Sequence, residues 1–314
     1  MPVEPNRREV LGGAVAIAAT VAAPSAARAD APADLAFLVV GDWGRDGASH
    51  QCDVAAQMEI TAQDVKTAFV ISVGDNFYED GVQSVTDPKW RSSFEDVYDG
   101  QYLKKAPWYV ALGNHDYGGV PQAQVDYTTH SPRWRMPARY FKVSGADIGA
   151  PALDLFIIDT SPLIAENGTG GNAMAVNVRS QDTAAQLAWL DRELAASQAV
   201  HKLVFGHHTM FSGGSTHGDT PDLIDRLLPV LKAHGVTAYI NGHDHDLQHI
   251  VRDGMDFVCT GAGSEIRPVK AVTGTRFCVA RSGFSVISLN GSRLHLEFRD
   301  FTGASLYRAD LAAA

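Results

Sequence analysis

The sequence is poor in cysteine, in positive charge and in long apolar segments, and each shortage excludes a class of protein. Three cysteines among 314 residues are too few for a disulfide scaffold, so the fold must rest on a hydrophobic core. The 26 basic residues are outnumbered by 36 acidic ones, and the formal net charge is −10. This charge argues against a basic face for nucleic-acid phosphates. With 45% hydrophobic and 20% charged residues, the composition is that of a globular protein.

The first 29 residues are predicted to be a cleaved export signal of the twin-arginine type. Arg7 and Arg8 precede an apolar run at 11–23, and residues 27–29 form an A-x-A cleavage pattern. The run is shorter than the about 20 residues that span a bilayer. An uncleaved anchor or a disordered alanine-rich tail is the alternative. We expect a bacterial periplasmic or secreted protein that contacts the Tat export machinery transiently and has no stable membrane insertion after cleavage.

Residues 30–314 are predicted to form a single α/β domain. Short apolar runs predict buried strands at 35–40, 68–73, 108–112, 153–158, 201–205 and 237–240. Leucines at helical spacing predict helices at 182–196 and 221–234. After residue 247 the pattern changes to shorter alternating strands, at 256–260, 276–280, 284–290, 293–299 and 304–309. This order indicates two packed mixed sheets with helices outside.

Five loops that follow predicted strands carry metal-binding side chains directly after a glycine. They are Gly41-Asp42, Gly74-Asp75-Asn76-Phe77-Tyr78, Gly113-Asn114-His115, Gly206-His207 and Gly242-His243-Asp244-His245. In open α/β sheets, ligands bind beyond the carboxyl ends of the strands. We expect each glycine to allow a sharp turn that brings the next side chain inward. One such loop is common, but five at strand ends indicate a shared site.

The donors in these loops predict two metal ions. They are Asp42, Asp75, Tyr78, Asn114, His207, His243 and His245, with no cysteine among them. Seven donors are too many for one tetrahedral zinc, whereas two ions sharing one carboxylate fit. A phenolate from Tyr78 favours a trivalent ion such as Fe(III); the alternative is a buried tyrosine that packs under its loop. Asp116, Asp244 and Asp246 are either partners that orient imidazoles or solvated carboxylates, and His208 receives no role.

The five motifs, in this order, resemble those of the binuclear metallophosphoesterases, and Tyr78 points to the purple acid phosphatases among them. Residues 231–263 are similar to the small tartrate-resistant (type 5) branch. The resemblance implies a calcineurin-like fold, a four-layer α/β/β/α sandwich. It implies a ferric ion on Asp42, Asp75, Tyr78 and His245, and a divalent ion (Fe, Zn or Mn) on Asp75, Asn114, His207 and His243. It also matches His115 and His217 to histidines that hold phosphate and help to protonate the leaving group.

The predicted function is therefore that of an acid phosphatase. A hydroxide held by the Fe(III)–M(II) centre would attack a small phosphate monoester at mildly acidic pH. The alternative is a phosphodiesterase or nucleotidase that uses two divalent ions. A third hypothesis is an iron redox or peroxidase protein, or a noncatalytic metal-binding protein. Cys259 and Cys278 lie on strands expected to be neighbours, so an oxidised pair is a further hypothesis.

Overall fold

A computed structural model describes residues 33–312. Its strands are β1 (Leu35–Val40), β2 (Val70–Ser72), β3 (Trp108–Val110), β4 (Trp134–Arg135), β5 (Phe141–Val143), β6 (Leu153–Ile157), β7 (His201–Phe205), β8 (Ala238–Asn241), β9 (Leu247–Arg252), β10 (Met255–Thr260), β11 (Thr275–Val279), β12 (Gly283–Asn290), β13 (Arg293–Asp300) and β14 (Ser305–Leu311). Its α-helices are α1 (Gln51–Val65), α2 (Pro121–Asp126), α3 (Ala173–Arg179), α4 (Thr183–Ala196), α5 (Pro221–Arg226) and α6 (Leu228–Ala233).

The strands form two mixed sheets of seven strands each within the described residues. The first sheet has the order β14-β13-β12-β1-β2-β3-β4, and the second has the order β11-β9-β10-β8-β7-β6-β5. In the first sheet β1, β2, β3 and β4 run parallel, and in the second β6, β7, β8 and β10 run parallel. Every residue of β1, β2 and β6 is buried, because parallel strands at the centre of a sheet are covered on both faces.

The main hydrophobic core lies between the two sheets. Phe37 of β1 and Phe205 of β7 meet there with ring centroids 6.4 Å apart. Helix α1 packs against β1 and β12 of the first sheet. A second cluster joins Leu190 and Leu231 of the helices to Tyr239 on the second sheet. The layers are therefore helix, sheet, sheet and helix, as predicted.

Three helices (α1, α2 and α3) and three strands (β4, β5 and β9) are absent from the sequence-based prediction, and α1 and β9 are the longest of them. The buried side of α1 includes Val54, Met58 and Ala62, a spacing of four that a search for leucines overlooks. Strand β9 contains Gln248 and His249, which are buried although they are polar. Gln248 Nε2 donates to Ser212 Oγ, and His249 Nδ1 lies 3.0 Å from the hydroxyl of Tyr307. Long-range partners of this kind cannot be seen in a local pattern.

The single helix predicted at 221–234 is wrong, because the segment contains two short helices. Helix α5 ends at Arg226 and α6 begins at Leu228. Pro229 has no N–H to donate to residue 225, and its ring clashes with the carbonyl four residues earlier. A proline is tolerated in the first turn of a new helix, which is where Pro229 lies. Helix α6 ends at Ala233, two residues before Gly235, whose φ of 61° is left-handed.

The hypothesis of a bond between Cys259 and Cys278 is also wrong. Both residues are opposite Gln248, on either side of β9. Two strand spacings place their Cα atoms about 9.5 Å apart, whereas a disulfide needs less than about 7 Å. Cys52, Cys259 and Cys278 are free thiols.

The predicted signal peptide at 1–29 lies outside the described residues and stays a prediction. Among residues 33–312, no helix has both the length and the apolar character needed to cross a membrane.

Candidate metal centre

The five predicted loops converge at the carboxyl ends of the parallel strands. The loops after β1, β2 and β3 come from the first sheet, and those after β7 and β8 come from the second. Hydrogen bonds connect them: within the first sheet Asp42 N–H donates to Gly74 O, and between the sheets His243 N–H donates to Asp42 Oδ2, both at 3.0 Å. The packing of the two sheets therefore creates one site from segments that are distant in sequence.

The sharp turns lie at the donors themselves more often than at the glycines. Asp42, Asp75 and His243 have φ values of 59°, 51° and 73°, a left-handed conformation that is uncommon for residues other than glycine. Of the motif glycines only Gly74 has a positive φ, 96°. A Cβ on Gly113 would collide with the Asp75 carboxylate. The expected role of the glycines is therefore corrected: most of them provide space.

One group of donors surrounds the Tyr78 hydroxyl. Its oxygen lies 3.2 Å from Asp42 Oδ1, 3.0 Å from Asp75 Oδ2 and 3.1 Å from His245 Nε2. Burial and the carboxylates of Asp42 and Asp75 raise the pKa of Tyr78 well above its usual value. A single hydroxyl proton cannot serve three electron-pair donors. A cation among these four side chains would satisfy them.

A second group of donors surrounds Nε2 of His207. This atom lies 3.1 Å from Asn114 Oδ1, 3.4 Å from Asp75 Oδ2 and 3.2 Å from His243 Nδ1. His207 Nδ1 donates to Val73 O at 2.9 Å, so in the neutral imidazole Nε2 keeps its lone pair. Four electron-pair donors thus face one another, which again fits a cation. Asp75 Oδ2 belongs to both groups, as the shared carboxylate of a two-metal site does.

Asp75 and His207 are electrostatically paired in the metal-free protein. Burial lowers the pKa of His207, but the carboxylates of Asp75 and Asp42 outweigh burial and raise it from 6.5 to about 9. Burial would raise the pKa of Asp75, but His207 and the N–H of His115 hold it well below its usual range. The site therefore binds a proton where a metal ion would lie.

Asp116 is a buried residue whose carboxylate binds two loops of the site, and the sequence left open whether it is a partner of the site or a solvated carboxylate. Its carboxylate accepts the backbone N–H groups of Asn76, Phe77 and Gly113 at 3.1, 3.2 and 2.8 Å. Burial and the nearby Asp75 raise the pKa of Asp116 to about 7. Asp116 thus connects the loops after β2 and β3, which carry Asp75 and Asn114.

His208 lies closer to the site than the sequence suggested. One of its ring nitrogens is within 4.8 Å of the ligand atoms of His207 and His243, and its Nδ1 is 2.9 Å from Thr160 Oγ1. Burial and His207 lower the pKa of His208 well below its usual value. In the sequence, the only indication that His208 lies near the donors is its position directly after His207 in the fourth motif.

His115 and His217 lie on two sides of the donors. The ring of His115 lies 4.5 Å from that of Tyr78, and its Nδ1 donates to Glu79 O. The ring of His217 stacks on His243 at 3.9 Å, and its Nε2 accepts a hydrogen bond from Arg267 at 3.0 Å. Burial lowers the pKa of His217 below its usual value, and the Arg267 guanidinium adds to this effect.

The fold and this site have clear relatives among known proteins. Residues 35–247 match the family of calcineurin-like phosphoesterases. The chain is 36% identical over 289 residues to "Purple acid phosphatase 7" of Arabidopsis thaliana, with 88% of this chain and 86% of that protein covered. It is 33% identical over 311 residues to human "Tartrate-resistant acid phosphatase type 5", with 92% and 94% covered. The chain belongs to the purple acid phosphatases.

The fold of this purple acid phosphatase also matches a solved structure. A purple acid phosphatase, PPD1, from yellow lupin seeds shares it with a TM-score of 0.67 at 14% identity, over 88% of this chain and 53% of that one. Family membership confirms the predicted four-layer fold, the binuclear metal centre and the metal-dependent phosphomonoesterase activity. The assignment of individual ligands and the identity of the metals stay predictions.

Proposed function

We propose that this purple acid phosphatase hydrolyses small phosphate monoesters with one trivalent iron and one divalent ion. The observation that carries the proposal is the position of the Tyr78 hydroxyl, within 3.2 Å of Asp42, Asp75 and His245. A phenolate is a hard, charged ligand, which favours a trivalent ion. The second group has two imidazoles and one amide besides the shared carboxylate, which suits Fe²⁺, Zn²⁺ or Mn²⁺.

The ligand side chains are oriented before any metal arrives. Val73 O holds the His207 ring through Nδ1, and the N–H of His243 lies 3.0 Å from Asp42 Oδ2. The N–H of His115 donates to Asp75 Oδ1 at 2.9 Å. When bound, the metal pair would supply positive charge for the phosphate oxygens and acidify water for the attack. The buried donors reduce the cost of organising the site because their geometry is already fixed.

His115 is the better candidate for the group that gives a proton to the leaving alkoxide. Its Nδ1–H is used by Glu79 O, so Nε2 is free to face the substrate, and 29% of the side chain is exposed. Nε2 of His217 is occupied by Arg267, and its lowered pKa disfavours the charged form. We therefore give His217 a role in holding Arg267 and packing on His243, and His115 the role of proton donor.

Metal analysis combined with visible spectroscopy tests the proposal. The loaded wild-type protein should contain iron and absorb visible light through a tyrosinate–ferric band, and Tyr78→Phe should abolish the band. Tyr117→Phe is a matched control, because Tyr117 is also buried and bonded to a carboxylate, that of Asp159. A pH–rate profile on an aryl phosphate should show an acidic optimum. A colourless, iron-free enzyme with full activity would instead support a phosphodiesterase or nucleotidase with two divalent ions.

We also propose export through residues 1–29. The support is the paired arginines Arg7 and Arg8 before an apolar run and a cleavage pattern. A double replacement by lysine should keep the full-length chain inside the cell, while the unaltered chain is recovered in the periplasm or medium without its first 29 residues. Export of the lysine variant at the normal rate would contradict this.

A further inference from the structure

Arg45 lies directly over Tyr78 without belonging to either group of donors. The carbon of its guanidinium is 3.8 Å from the centroid of the Tyr78 ring, well within the range of a cation–π contact. Its backbone N–H donates to Oε1 of the buried Gln51 at 3.0 Å. Only 14% of the side chain is exposed. The cation is therefore held against the face of the phenol and is largely shielded from water.

Two carboxylates hold the guanidinium in this place. Nη1 of Arg45 lies 2.9 Å from Glu79 Oε1, and Nη2 lies 2.9 Å from Glu265 Oε2. Glu79 directly follows Tyr78, and Glu265 lies in the loop after β10. The hydroxyl of the neighbouring Ser264 donates to the backbone oxygen of Asp42. The three charged residues thus connect the loops after β1, β2 and β10 beside the site.

We propose that Arg45 is a positioning residue that holds the Tyr78 ring in place and lowers the energy of its phenolate electrons. This inference rests on the proposed function, in which Tyr78 is a phenolate ligand to trivalent iron. A cation over the ring lowers the energy of the phenolate electrons, because opposite charges attract more strongly in a partly buried site than in water. More energy is then needed to move an electron from the ring to the metal. Glu79 and Glu265 weaken this effect by partly neutralising Arg45.

The visible spectrum of the iron-loaded, full-length protein tests this role. Arg45→Gln should shift the charge-transfer band to longer wavelength, and Arg45→Lys, which keeps a charge but not the planar contact, should shift it less. Glu265→Gln should shift the band in the opposite direction, because it leaves more net charge on Arg45. Arg252→Gln is the matched control: Arg252 lies 4.1 Å from the centroid of Phe211, and its removal should leave the band unchanged.

The outcomes separate this inference from the proposed function. A coloured wild-type protein whose band is unmoved by both Arg45→Gln and Glu265→Gln would overturn the role of Arg45 and leave the ferric centre intact. A loaded wild-type protein without a visible band would overturn both. If Arg45→Gln fails to fold, Glu265→Gln decides alone, since 49% of that side chain is exposed and its replacement leaves the core untouched. Opposite shifts in the two variants are the expected result.

Discussion

Replacing Asp75 with asparagine should remove most of the contribution of His207 to the pH dependence of stability in the metal-free protein. His207 has no exposed surface, and Asp75 is the largest of the influences that raise its pKa from 6.5 to about 9. Because the folded state binds this proton more tightly than the unfolded state, the stabilisation is fully present below pH 6.5. It is lost as the pH rises through about 9.

The size of the effect follows from the shift. At 1.36 kcal/mol per pKa unit, the difference between 6.5 and about 9 corresponds to about 3 kcal/mol of unfolding free energy. Asparagine has the shape of aspartate and can still accept the N–H of His115 through its oxygen, but it lacks the charge that holds the proton on His207. Between pH 6 and 9 the Asp75→Asn variant should therefore lose less unfolding free energy than the wild type, and the difference between the two proteins isolates His207 from the other groups that titrate in this range.

Urea unfolding of chelator-treated protein at pH 6.0 and 9.0 measures this difference. Asp310→Asn is the control, because its pair with His295 is exposed and should not change the profile. In the metal-loaded wild type the contribution of His207 should also vanish, since the metal replaces the proton on His207 and binding releases it. Equal losses of stability in wild type and Asp75→Asn would refute the electrostatic argument.

Three further variants test other parts of the structure. Asp116→Ala should weaken metal binding about 10- to 100-fold and cost about 3 kcal/mol of stability, measured by calorimetric titration and urea unfolding; unchanged metal affinity would contradict its anchoring role. Lys142 and the hydroxyl of Ser197 outweigh burial and hold the pKa of Asp154 below 3.8. Asp154→Asn should therefore cost about 2 kcal/mol at neutral pH, and the difference should narrow as the pH falls below 3.8. Asp182 accepts the N–H of Ala185 at 2.9 Å, so Asp182→Ala should cost about 1 kcal/mol in thermal unfolding with normal phosphatase activity.

Much of the fold follows from local pattern. Strand β1 and strand β7 have the predicted bounds, and helix α4 (Thr183–Ala196) fills the range predicted at 182–196. These elements have a strong apolar periodicity, which reflects burial of one face or of both. Prediction failed where stability comes from distant partners, as for β9 with its buried Gln248, and where one residue outweighs the periodicity, as Pro229 does between α5 and α6.

The chemistry of the site also follows from the chain itself, because every donor lies in a short loop that begins with a glycine after a strand. What local pattern cannot contain is distance in space. Tyr78 and His245 are 167 positions apart in the chain and 3.1 Å apart in the fold. Local pattern likewise does not show that Arg45 lies over the Tyr78 ring, or that the Asp116 carboxylate binds two loops. Residue identity sets which atoms can bind a metal, whereas their meeting depends on how two sheets pack, which is a property of the whole core.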